Sequence, residues 1–222
     1  MQQVNGLGSP PALVRGVIWL SAKLLATERV AVPGLMFLII GLILLNVVTR
    51  YSGVSLYWVD ESAIYSVVFL CFIGASAMTR LRLDFAVTML TERLSAQAQK
   101  RLKVSATATV LAFSLVLLWF CVLWLDPVGM AQAGFDARAL AAQTFNFIYT
   151  ERTQTLNWPV WVLYMVMPWF ALSMVVHSAA NLVEDLGLIA RSNNTAFLRT
   201  HPSTTFGTPV YAAKILSLNL AT

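Results

Sequence analysis

His177 is the one ionisable side chain set deep in a long apolar run of this 222-residue sequence. An ionisable group inside a membrane usually serves transport, and an imidazole there can also ligate haem. A haem held between helices needs two axial ligands, and the only other histidine, His201, falls in a polar tail. A membrane cytochrome is therefore excluded, and His177 reads as a neutral, hydrogen-bonded or interfacial residue. Cys71 and Cys121 both lie in apolar runs and read as small buried hydrophobes. No P-loop, GxSxG or HExxH occurs, so no catalytic, cofactor-binding or metal residue is expected and the chain does not read as an enzyme. The remaining polar chemistry sits at the edges of apolar runs. Asn46 and Arg50 are four apart and share one helical face. Asp60 and Glu61 open the next run, with Asp60 suited to N-cap it. Arg50 and Glu61 then either pair between two spans or act separately by snorkelling and capping.

The elements that carry these residues follow from composition. Hydrophobic residues make up 58% of the chain and charged ones 11%, against about 25% charged in a soluble domain. Mean hydropathy is +0.71. A free soluble enzyme and a disordered tail protein are excluded, and the net charge of +5 reads as membrane topology rather than nucleic-acid binding. Four windows free of Asp, Glu, Lys and Arg, 30–49, 62–79, 104–125 and 153–183, are each long enough to cross about 30 Å of hydrocarbon as a helix. Their apolar runs are continuous, not alternating, which argues against strands. The fold class is an all-α integral membrane protein with four transmembrane helices and cytoplasmic-side amphipathic helices. No charged residue falls near the centre of a window. Pro33 falls at the start of span 1, and Pro168 predicts a kink in span 4.

Orientation follows from Lys and Arg. The N-terminal segment, the loop after span 2 and the C-terminal tail carry twelve of them, while Arg50, Arg138 and Arg152 lie on the other side. The acidic residues divide evenly. The positive-inside rule puts both termini and the 80–103 loop in the cytoplasm. Residues 1–29 are a cytoplasmic segment, 30–188 the four-span membrane domain and 189–222 a cytoplasmic polar tail. Residues 12–26 read as an interfacial helix or as a greasy leader to span 1. Residues 84–103 form an amphipathic surface helix, with Ser95 a candidate break, and with Val87, Leu90, Leu94 and Leu102 on its apolar stripe, facing phospholipid or a partner subunit. In 126–152, Asp136 caps a short helix over 137–149, and Phe145, Phe147 and Tyr149 form an aromatic belt or a docking surface for an external protein.

Several of these residues, taken in order, resemble the small membrane subunit of tripartite ATP-independent periplasmic (TRAP) transporters. Asn46-Val47-Val48-Thr49-Arg50-Tyr51 is similar to that family's ending of span 1, and Trp58-Val59-Asp60-Glu61 to its Trp-x-Glu-Glu opening of span 2. Gly74 leading to Arg80, then Asp84, resembles the segment that leaves span 2. Asn157-Trp158-Pro159-Val160-Trp161 with Pro168 resembles the entry to span 4. The family's His between that Arg and that Asp is missing, and the stretch is about one helical turn short.

The resemblance implies a bacterial inner-membrane, multi-pass subunit of a secondary-active, Na⁺-coupled importer of an organic acid or similar solute. Its partners are a large multi-span permease subunit and a periplasmic substrate-binding protein that docks transiently on the outer face. Substrate and Na⁺ sites are expected in the large subunit, and this chain is expected to be its scaffold. Two other classes stay open on the residues alone. One is a bare membrane anchor for another complex. The other is a self-contained oligomeric channel or transporter, for which Asn46, Thr49, Thr107, Thr109 and Ser173 are a sparse lining.

Overall fold

A computed structural model of the protein describes residues 11–82 and 95–189, and these are helical apart from turns and one isolated bridge between Arg152 and Pro159. Four helical segments are long and apolar enough to cross a membrane. The first, α1, is Ala12–Tyr51. At 1.5 Å per residue its 40 residues run about 60 Å, twice a hydrocarbon core. The segment 12–26 is therefore the first part of the span 1 helix and not a separate element. The charge-free window opening at 30 marks no helix boundary, because nothing between Ala26 and Val30 breaks the backbone ladder. Pro33 lies inside α1, and the helix continues through it.

Helix α2 is Tyr57–Leu81 and α3 is Ala96–Leu125. Ser95 N-caps α3, its hydroxyl accepting from the Ala98 amide at 3.4 Å. Residues 96–103, with Leu102, thus begin the third span instead of ending a surface helix: the candidate break at Ser95 is where a capping serine starts a new helix, although the amphipathic stripe runs on. The rest of the expected surface helix, with Asp84, Val87, Leu90 and Leu94, lies outside the described residues, as do the first ten residues and the tail from 190.

The connection after α3 is built from two short helices, α4 Pro127–Gln132 and α5 Ala137–Thr144. Asp126 has φ +41°, closes α3, and accepts from the Gly129 amide at 2.8 Å to cap α4. Any Cβ at position 129 would collide with that carboxylate, so the close approach requires glycine. Asp136 caps α5 as its sequence position predicts, accepting from the Arg138 and Ala139 amides. The helix stops at Thr144, five residues short of 149. Asn146 donates to the Trp124 carbonyl at 2.9 Å and the Tyr149 hydroxyl to the Leu125 carbonyl at 2.6 Å. Those bonds satisfy the open carbonyl end of α3, and they draw 145–149 out of helical geometry.

The fourth span is α6 Val160–Tyr164 and α7 Val166–Leu186, interrupted at Met165. Pro168 has no N–H for the Tyr164 carbonyl, and its ring crowds that oxygen, so the helix is interrupted at Met165. Helix α7 packs against α1, α2 and α3, and α1 also packs against α2. Small residues line these contacts, among them Ser66, Ser76, Ser114, Ala171, Ser178 and Ala180, all buried. Small side chains let helix backbones approach closely where lipid is as apolar as leucine. Cys121 is buried, as expected, whereas Cys71 is exposed on α2, and neither is in a disulfide.

Candidate functional site

The polar side chains collect at the two ends of the bundle. One cluster joins the C-terminal ends of α2 and α7. Arg80 donates through Nη2 to Glu184 Oε1 at 2.7 Å and through Nη1 to Asn181 Oδ1 at 2.6 Å. The Arg80 and Glu184 side chains are each 2% exposed. Arg82, in the left-handed position that ends α2, reaches Asp185 at 2.6 Å and the Asn181 carbonyl at 2.7 Å. The Asn181 amide donates in turn to the Thr79 carbonyl, and the Thr107 hydroxyl of α3 donates to Asp185 at 2.8 Å. Two arginines thus face two carboxylates, and three helices are tied together. Buried charges persist only when paired and further hydrogen-bonded, and these are.

A second buried group ties α1 to α7. His177 is fully buried; its Nδ1 lies 2.8 Å from the Ser21 hydroxyl and its Nε2 3.2 Å from Glu28 Oε2. The hydrogen-bonded reading of His177 holds. Glu28, which flanks the charge-free window, is 2% exposed. So buried charge does exist among the helices, although the windows themselves hold none. His177, Asn181 and Glu184 recur at i, i+4 and i+7 on one face of α7, and Ser21 and Glu28 are seven apart on α1. That spacing was the available signal, and it goes unnoticed when Glu28, Glu184 and Asp185 serve only to count charge.

At the opposite end, Arg50 donates through Nε to Asn46 Oδ1 at 3.0 Å and through Nη2 to Asp60 Oδ2 at 2.9 Å. Asn46 also donates to Asp60. Arg50 therefore pairs with Asp60 and not with Glu61. Leu56, not Asp60, is the N-cap of α2, which leaves Asp60 in the first turn and turned toward α1. Glu61 points the other way and accepts from the backbone amides of Gln154, Thr155 and Leu156, each at 2.9 Å, and from the Thr155 hydroxyl. It pins the turn that precedes α6. Within that turn Thr153 and Trp158 exchange hydrogen bonds, and Asn157 adopts φ +53°.

The other predicted positions are scattered. Tyr51 is 91% exposed, and Trp58 and Trp158 are exposed at the same end of the bundle. Pro159 N-caps α6. Gly74 lies half-buried in α2 with nothing close to where a Cβ would stand. Phe145 and Phe147 are exposed, which suits a belt and a docking surface alike, while Tyr149 is half-buried with its ring tilted against Trp161 at 6.1 Å. Among the described residues no group of three His, Cys, Asp or Glu side chains could hold a metal ion.

The family profile of tripartite ATP-independent periplasmic transporters, DctQ component, matches residues 39–188. The chain belongs to the DctQ family. DctQ proteins are the small permease component of these transporters, a transport family and not an enzyme family, so this chain is one part of an assembly with partner subunits. With four helices able to cross a membrane, it is a multi-pass membrane protein. No curated protein and no solved structure matches the sequence significantly. The DctQ match takes in the Arg50–Asp60 and Arg80–Glu184 pairs and Glu61, whereas Ser21 and Glu28 precede it.

Proposed function

We propose that this DctQ chain is the rigid scaffold of a secondary-active TRAP importer and handles neither solute nor ion itself. The observation that carries the reading is where its buried charge goes. Arg80, Arg82, Glu184 and Asp185 are spent on one another, and Glu28 on His177, across helix–helix contacts. Groups used this way fix helices relative to one another, whereas a transport site keeps polar ligands turned toward its cargo. Four of the five polar side chains considered for a pore lining are engaged as well, and the fifth, Ser173, is buried. Asn46 binds Asp60, Thr107 binds Asp185, and Thr49 and Thr109 bond their own helix backbones.

On this reading the chain lies in the bacterial inner membrane with both termini in the cytoplasm, contacting phospholipid and the large permease subunit. That partner holds the Na⁺ and substrate sites, and a periplasmic binding protein delivers an organic acid or similar solute to the outer face. The long α1 widens the frame against which the transport domain moves.

Reconstitution tests it. Proteoliposomes holding this chain alone should take up no solute. Those holding it with the large subunit should do so when the binding protein and a sodium gradient are supplied. Uptake by this chain alone overturns the scaffold reading.

A further inference from the structure

Helices α1, α2 and α7 meet at a polar junction with bonding capacity left over. Glu28 Oε2 faces His177, but its other oxygen, Oε1, has no hydrogen-bond partner among the described residues. The same is true of Ser76 Oγ and Arg80 Nε on α2. All three residues are almost completely buried: Glu28 is 2%, Ser76 1% and Arg80 3% exposed.

Register puts these groups at neighbouring levels. Arg80 bonds Asn181. One turn back on α2 is Ser76, and one turn back on α7 is His177, the residue that Glu28 contacts. Helix α2 packs on α1 and α7, so a buried Ser76 faces their junction. Ser76 and Arg80 are four apart and share that face. Apart from the Arg82 Nε–H, which also lacks a partner, other polar groups around the junction are already used. The Arg80 Nη atoms go to Asn181 and Glu184, Arg82 goes to Asp185, and Ser21 goes to His177 Nδ1. Arg29, beside Glu28, has interactions of its own. On α3, Thr107 binds Asp185 and Ser114 lies 3.5 Å from Ser178.

We propose that one ordered water occupies this junction, held by Glu28 Oε1, Ser76 Oγ and the Arg80 Nε–H. A buried water makes about three hydrogen bonds, typically to polar groups that otherwise lack a partner. Here it donates to the carboxylate, accepts from the guanidinium and exchanges a bond with the hydroxyl. It completes the coordination of the two buried charges that the helix–helix pairs leave open, and it links α1 to α2 at a level where the two share no direct polar bond among those described.

A lipidic-mesophase crystal structure of the full chain, grown once in sodium and once in sodium-free choline medium, tests this. The expected result is one density peak at hydrogen-bonding distance from all three groups in both media, lost in Ser76→Val. Water-edited solid-state NMR of the full chain in bilayers should show the Ser76 Cβ signal rising early, and it needs no variant. Three outcomes overturn the proposal: direct contact between Glu28 and Ser76, a junction without density, or a peak present only with sodium. The last would mean an ion site in this subunit.

Discussion

Arg80 and Glu184, 104 residues apart in sequence, meet at 2.7 Å with both side chains 2% exposed. This pair, with Asn181 between, holds the second and fourth spans together at one end. It sets the energetics of the bundle, because an ion taken out of water is stable only while its counter-ion stays.

Removing one partner should therefore cost more than removing both. Arg80→Leu or Glu184→Leu alone is expected to destabilise the folded chain by about 3–5 kcal/mol. The Arg80→Leu/Glu184→Leu double variant should recover most of that, since Arg82 keeps Asp185. Thermal and denaturant unfolding in micelles, followed by circular dichroism, measures all three. A double variant as damaged as the worse single one would show that the pair is not the source of the loss.

The spans, their number and the family were legible because hydropathy and motif order are local properties. Asp136 as a cap and Pro168 as a point of irregularity in span 4 were legible for the same reason. The ends of helices were not. Charges at 28 and 29 close a hydropathy window, but a helix turns on backbone bonds, and α1 has them from Ala12 onward. Pairings across helices were illegible too. Asp60 and Glu61 are adjacent, so a helix points them about 100° apart. Only the packing of α2 decides that Asp60 meets Arg50 while Glu61 meets the turn before α6.

That division yields a charge-swap test. Arg50→Asp should weaken the joint between α1 and α2, and Arg50→Asp/Asp60→Arg should restore it. Arg50→Glu/Glu61→Arg should restore nothing. The pair is partly exposed, 60% and 37% for its two side chains, so its worth is about 0.5 kcal/mol and falls with added salt. Cysteine cross-linking between the facing ends of α1 and α2 reads the joint directly. Recovery by the swap at Glu61 would assign the wrong carboxylate to Arg50.

Glu61 should act on a different element. Its carboxylate collects three successive backbone amides of the turn before α6. Glu61→Gln keeps the shape but exchanges one acceptor oxygen for a donor, and Glu61→Ala removes both acceptors. Hydrogen exchange at Gln154, Thr155 and Leu156 should accelerate in both variants, more in Glu61→Ala, with exchange in α1 unchanged. Unaltered protection of those three amides would mean that the turn is held by its internal Thr153–Trp158 bonds alone.

Tyr149 gives the connection between α3 and α6 a dependence on alkaline pH. Its hydroxyl donates to the Leu125 carbonyl, and burial, with the nearby Asp126 carboxylate second, raises its pKa above the usual value of 10. A raised native pKa means the folded chain holds that proton more tightly than the unfolded one. The stabilisation is complete below about pH 10, where both states are protonated. It is lost as pH climbs through the higher native value, because tyrosinate forms first in the unfolded chain. Tyr149→Phe cannot ionise. At pH 8 it should cost about 1 kcal/mol for the missing hydrogen bond, and above pH 10 its stability should fall less steeply than that of the unaltered chain. The other five tyrosines titrate in both proteins, so the difference between the two curves isolates position 149. Parallel curves throughout the alkaline range would place the Tyr149 hydroxyl in water and free the carbonyl end of α3 from this contact.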